Sequence, residues 1–159
     1  MESKNPVTQD NLAYAKANFE SAKSMIEALQ TMSSGAKEGE LIGARDQTGY
    51  AMAKLLFATG MVAIMHVSLK KGHKDIERFL DGGKDGYRLV LTDALRRMND
   101  DIAHLIRRCE KVLQYAASTN LPDPYASDGF DLRKMADDIN FDARNVDRII
   151  AQLDELMAA

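Results

Sequence analysis

Cysteine, proline and long apolar runs are all scarce in this 159-residue chain, and each scarcity closes off a class of structure. The one cysteine, Cys109, has no second thiol for an internal disulfide and lies in a strongly helical pattern. It reads as a small buried hydrophobe in a protein of a reducing compartment. A domain of this length buries roughly two-thirds of its unfolded surface and needs neither disulfide nor metal to fold. Proline occurs only at Pro6, Pro122 and Pro124, so nothing in 7–121 forbids helix. The longest apolar run, 55–65, is broken by Thr59 and Gly60 and falls well short of the roughly 20 residues of a membrane span. It predicts a buried helix. The polar start, Met1 to Pro6, lacks the basic and apolar regions of a secretory signal, and the expectation is a cytoplasmic protein.

Charge of one sign is lacking too. The net charge is -3, with eight acids from Asp128 onward set against Arg133, Lys134, Arg144 and Arg148. That balance argues against nonspecific nucleic-acid binding, which depends on a large cationic face.

Strand signals are equally poor, because the β-branched residues never alternate with polar ones over a strand's length. What is present is helical periodicity, which predicts an all-α fold: an elongated antiparallel four-helix bundle with a short extra helix between helices 2 and 3. The helices are expected at about 8–33, 41–70, 74–81, 87–118 and 129–157, within a single domain. In the first, Leu12, Ala15, Phe19, Ala22, Ile26 and Leu29 form one stripe at steps of three and four. Residues 33–40, with Gly35 and Gly39, read as a loose connector. The second helix is apolar nearly all round, which predicts the central, most enclosed element, and Gly72 is expected to end it. The third shows a heptad seam, Leu91, Leu95, Met98, Ile102, Leu105, Cys109, Val112 and Ala116. Pro122 and Pro124 place a surface loop at 120–127. The fourth starts near Asp128 or Asp131 and uses Leu132, Met135, Ile139, Val146, Ile149, Leu153 and Leu156.

The polar residues supply few constellations. On the second helix Thr59, His66, Lys70 and His73 share one side, a stripe that could hold an anion at the helix end. The run His66-Val67-Ser68-Leu69-Lys70-Lys71-Gly72 resembles the His-x-Leu-Lys-Gly pattern of histidine phosphotransfer domains, themselves four-helix bundles, and the resemblance implies phosphotransfer through His66. Here leucine comes one place late and glycine two, and one residue is a rotation of about 100°. On the third helix Arg97, Asp101, His104, Arg108 and Lys111 form a stripe beside the seam. The six residues between Arg97 and His104 fit a spacing that resembles the Arg-x4-6-His signature of HEPN ribonucleases, which implies Arg97 and His104 as a catalytic pair acting on RNA at a dimer cleft. A solvated flank laced by Asp93–Arg97 and Arg97–Asp101 pairs explains the same residues.

No metal or cofactor is expected. Asp101-x-x-His104 is the chain's one approach to a di-iron motif, and a calcium loop registered on Asp128 and Gly129 would put Pro124, Ala126 and Met135 at ligand positions. There is no glycine-rich phosphate loop and no nucleophile elbow. The residues therefore point to a noncatalytic bundle that binds another protein or its own copy in a regulatory, adaptor or chaperone-like role. Candidate contact residues are His66, Lys70, His73, Arg97, His104 and Arg108.

Overall fold

The structure is a computed structural model describing residues 6–39, 48–118 and 132–158. It contains four helices, α1 Pro6–Gly39, α2 Thr48–Gly82, α3 Leu89–Ser118 and α4 Leu132–Ala158, and no strand among the described residues. Each packs on two neighbours in a closed square, α1 on α2 and α4, and α3 on the same two.

The direction of every helix follows from paired positions. Phe19 and Ser21 of α1 meet Gly72 and Ser68 of α2. Next, His66 and His73 of α2 meet Glu110 and Asn99 of α3. Arg108 and the Leu91 carbonyl of α3 meet Asp142 and Gln152 of α4, and Lys16 and Lys23 of α1 meet Asp154 and Asp147. In each set one number rises as the other falls, so all four neighbouring pairs are antiparallel and the topology is up-down-up-down.

The core is one cluster running the length of the square. The whole α1 stripe, Leu12 to Leu29, is buried, as are Ile139, Val146, Ile149, Leu153 and Leu156 of α4. The turn from α2 to α3 is fixed by Gly86, whose φ of 91° suits the third position of a turn closed by Tyr87 N–H donating to the Lys84 carbonyl at 3.1 Å. It lays the Tyr87 ring edge-on against Phe79, centroids 5.1 Å apart.

Four expectations change. There is no separate helix at 74–81, since α2 runs unbroken through Gly72 to Gly82. Gly72 is a contact residue rather than a terminator: a Cβ there would lie 2.8 Å from Cε1 and Cζ of Phe19, so its missing side chain lets that ring press against the α2 backbone. The connector expected at 33–40 is helical as far as Gly39, because one glycine costs about 1 kcal/mol, too little to end a helix with no proline behind it. Nor is α2 enclosed. It is one of four equal members, and its apolar residues divide between the core and the opposite, solvent-facing side. The α3 seam is buried as expected at Leu95, Ile102, Leu105, Cys109 and Val112, with Leu91 and Met98 partly buried against the core and Thr92 and Asn99 buried beside them.

The loop at 120–127, the helix start at Asp128 or Asp131, and the α2 residues 41–47 lie outside the described residues, as do the side chains of Tyr50, Met52, Leu55, Leu56, Ala116, Leu132 and Met135.

Candidate functional site

The six candidate residues do not form one site. His66 sits on the α2 edge that faces α3, 17% exposed, with its Nε2 3.1 Å from a Glu110 carboxylate oxygen. One further heptad along the same edge, His73 Nδ1 stands 3.4 Å from Glu77 one turn on, and its main-chain carbonyl accepts a 3.2 Å hydrogen bond from Asn99 Nδ2. Lys70, between them, is exposed. The Thr59-His66-Lys70-His73 stripe is thus a helix border whose imidazoles are engaged by carboxylates. An anion held there would have to displace Glu110 and Glu77.

On α3 the stripe divides as well. Arg108 leaves it to pair with α4, its Nε donating to Asp142 Oδ2 at 2.6 Å, and its guanidinium lies 5.0 Å from the centroid of the otherwise exposed Phe141 ring. Asp142 is buried, so this charge-assisted bond supplies what water would. Arg97 and His104 are both exposed. Two helical turns separate them, a rise of ~10.5 Å. His104 Nδ1 lies 2.8 Å from Arg107 Nη2. The ion pair expected between Asp93 and Arg97 forms instead with Arg96, at 3.7 Å.

Cys109 is buried against Met65, its Sγ 3.8 Å from the thioether, and burial, with a smaller contribution from Glu110, pushes its thiol pKa up to about 12. It is packing, not a nucleophile. Among the described residues no group of three or more histidine, cysteine, aspartate or glutamate side chains is placed to hold a metal ion.

What sequence reading missed lies on the outward side of α2. Phe57, Ile64 and Val67 are 68%, 54% and 51% exposed, and Gly60 lies between them with nothing within 4 Å of where its Cβ would stand. The line continues at the same spacing into Lys71, Lys74 and Arg78, all exposed. Beside that basic end, Tyr14, Ala17 and Asn18 of α1 complete an open groove of about 460 Å³ that Asp75 also lines. Burial raises the Asp75 pKa, and Arg78 at 4.0 Å together with a hydrogen bond from Asn18 pulls it part of the way back. The signal was in the sequence as a second apolar stripe on α2, but periodicity does not say which of two apolar faces meets the core.

No helix of the described residues is long and apolar enough to cross a membrane. No protein-family model matches the chain, and no curated protein or solved structure is significantly similar to it.

Proposed function

We propose that the chain is a noncatalytic helical bundle that works by binding another protein, in a regulatory, adaptor or chaperone-like role inside the cell. One observation carries the reading: α2 presents Phe57, Ile64 and Val67 to solvent on the side opposite its buried Val62, Met65 and Leu69. Single exposed hydrophobics are ordinary, but a row of them at heptad spacing along one helix is what a partner helix reads.

The two enzymatic alternatives draw less support from the same geometry. Phosphotransfer through His66 needs an accessible imidazole nitrogen, whereas Nε2 faces Glu110 in a border between helices. An Arg97–His104 ribonuclease needs both groups on one phosphodiester, and they stand two turns apart on a convex helix face away from the groove.

Photocrosslinking in the native host tests the proposal, with a photoreactive phenylalanine replacing Phe57, Ile64 or Val67, and Arg97 or His104 as comparison positions. The binding reading expects a discrete protein adduct from the α2 positions. RNA cleavage by the purified protein, lost in Arg97→Ala and His104→Ala variants that keep their helical spectrum, would replace that reading with the ribonuclease one.

A further inference from the structure

The outward side of α2 changes character halfway along. Its first half is Phe57, Gly60, Ile64 and Val67, with no charge among them, and its second half is Lys71, Lys74 and Arg78. Successive positions alternate three and four residues apart without a break, so seven side-chain positions fall on a single line ~31 Å long. That is three heptads, the spacing at which one helix lies along another. Among the described residues neither Lys71 nor Lys74 has an ion-pair partner, and Arg78 reaches Asp75 only at 4.0 Å.

Gly60 gives this face a second feature. Glycine inside a helix lowers its stability, and a close packing contact such as the one that explains Gly72 is missing here, since no group of this chain comes within 4 Å of its Cβ position. An exposed hole flanked by Phe57 and Ile64 fits the close approach of an external helix, whose side chain would enter it as a knob enters a hole.

Building on the binding function proposed above, we infer that the outward face of α2 docks a helix from a different protein, one that sets large apolar residues against Phe57, Gly60, Ile64 and Val67 and carboxylates against Lys71, Lys74 and Arg78. Charge complementarity selects that occupant over two others. A second copy of this chain docked through α2 would put lysine on lysine when parallel. Full antiparallel overlap would put Lys71 and Lys74 over the apolar half. Pairing of the apolar halves alone would leave Lys71, Lys74 and Arg78 of both copies without facing carboxylates. An anionic membrane surface prefers a helix whose basic and apolar residues flank each other along its whole length, so that its axis lies in the interface. Here the two are segregated end to end.

The test uses synthetic helical peptides of three heptads with the purified full chain. One pair carries leucines at the contact positions of one half and glutamates at those of the other, in either order, and a control interleaves the same residues. The inference expects one segregated peptide to bind at least tenfold more tightly than the interleaved control. Lys71→Glu with Lys74→Glu should remove that preference, and a peptide with lysines in place of its glutamates should restore it. Gly60→Leu should also weaken binding at least tenfold with an unchanged helical spectrum. Equal affinity for segregated and interleaved peptides, or no loss in the charge-reversed variant, overturns the inference. So does a mass that doubles at micromolar concentration and reverts in Ile64→Glu, which assigns the face to a second copy. Sedimentation with vesicles of phosphatidylcholine and phosphatidylserine that is lost in the same variants assigns it to a lipid surface. If the peptides fail while photocrosslinks from position 64 persist, the partner chemistry is wrong and the binding function stands.

Discussion

The ring of Phe19 occupies the space that a side chain at Gly72 would need, with Cε1 and Cζ 2.8 Å from the missing Cβ. Two glycines of the same helix therefore make opposite predictions. Gly72→Ala should destabilise by about 1–3 kcal/mol, since overpacking at Phe19 outweighs the gain in helix propensity. Gly60→Ala, with nothing near it, should stabilise by about 0.5–1 kcal/mol. Urea denaturation of the two variants checks both signs, and Phe19→Leu should recover part of the Gly72→Ala loss.

Arg108 and Asp142 test how α3 is held to α4. Removing the guanidinium leaves a buried carboxylate without its 2.6 Å donor, and also uncovers the Phe141 ring. Arg108→Ala should cost about 2–3 kcal/mol, and a double-mutant cycle with Asp142→Asn should return a coupling above about 1 kcal/mol. Additive effects would mean that the two side chains do not meet in solution.

Much of this architecture is legible from residue spacing alone, and the exceptions have identifiable causes. The α1 stripe and the α4 line from Ile139 to Leu156 have one apolar face each, so a period of 3.6 residues fixes which way they point. α2 has two apolar faces, and only packing against α1 and α3 selects Val62, Met65 and Leu69 over Phe57, Ile64 and Val67. The role of Gly72 is not legible from spacing because it depends on Phe19, fifty-odd residues away in the chain. The α3 seam is legible at Leu95, Ile102, Leu105, Cys109 and Val112, but an apolar count passes over two polar residues that widen its buried face, Thr92 and Asn99. Both are buried, Thr92 with its hydroxyl donating to the Leu89 carbonyl and Asn99 with its amide donating to the His73 carbonyl. The basic half of the α2 outer face was visible as residues but carried no known motif.

Asn99 also gives a prediction, because its Oδ1 is buried with no hydrogen-bond partner among the described residues. An unsatisfied buried acceptor costs about 1–3 kcal/mol, comparable to or larger than the one bond that Nδ2 makes. Asn99→Leu should leave stability unchanged or raise it by about 1 kcal/mol. A loss of more than that, in thermal or urea unfolding, would show that the amide holds the α2–α3 register in a way the single bond to His73 does not account for.

The Asp75 carboxyl predicts a pH dependence. Burial lifts its pKa above the ordinary value of 3.8, so the folded chain binds this proton more tightly than the unfolded chain does. Its stabilising contribution is complete below the ordinary value and is lost as pH rises through the raised one. Asp75→Asn should therefore be more stable than the parent at neutral pH, with the difference shrinking as pH falls through the carboxylate range. Urea midpoints across that range measure it, and a difference that widens on acidification contradicts the assignment.

The thiol at position 109 should be inert while the chain is folded. Its pKa of about 12, raised chiefly by burial, leaves almost no thiolate at pH 8. Reaction with an aromatic disulfide reagent should track unfolding, and rapid labelling of the native protein would place the side chain at the surface.

The proposed binding function requires α2 to carry its core on one face and a free surface on the other, and denaturation of two neighbouring variants measures that directly. Met65 and Ile64 are consecutive residues turned about 100° apart, the first fully buried and the second 54% exposed. Met65→Asp should prevent stable folding, because it buries an unpaired charge at a cost of several kcal/mol. Ile64→Asp should unfold within about 0.5 kcal/mol of the parent chain. If Ile64→Asp instead loses several kcal/mol as a monomer, its face belongs to the core and the proposed binding surface does not exist.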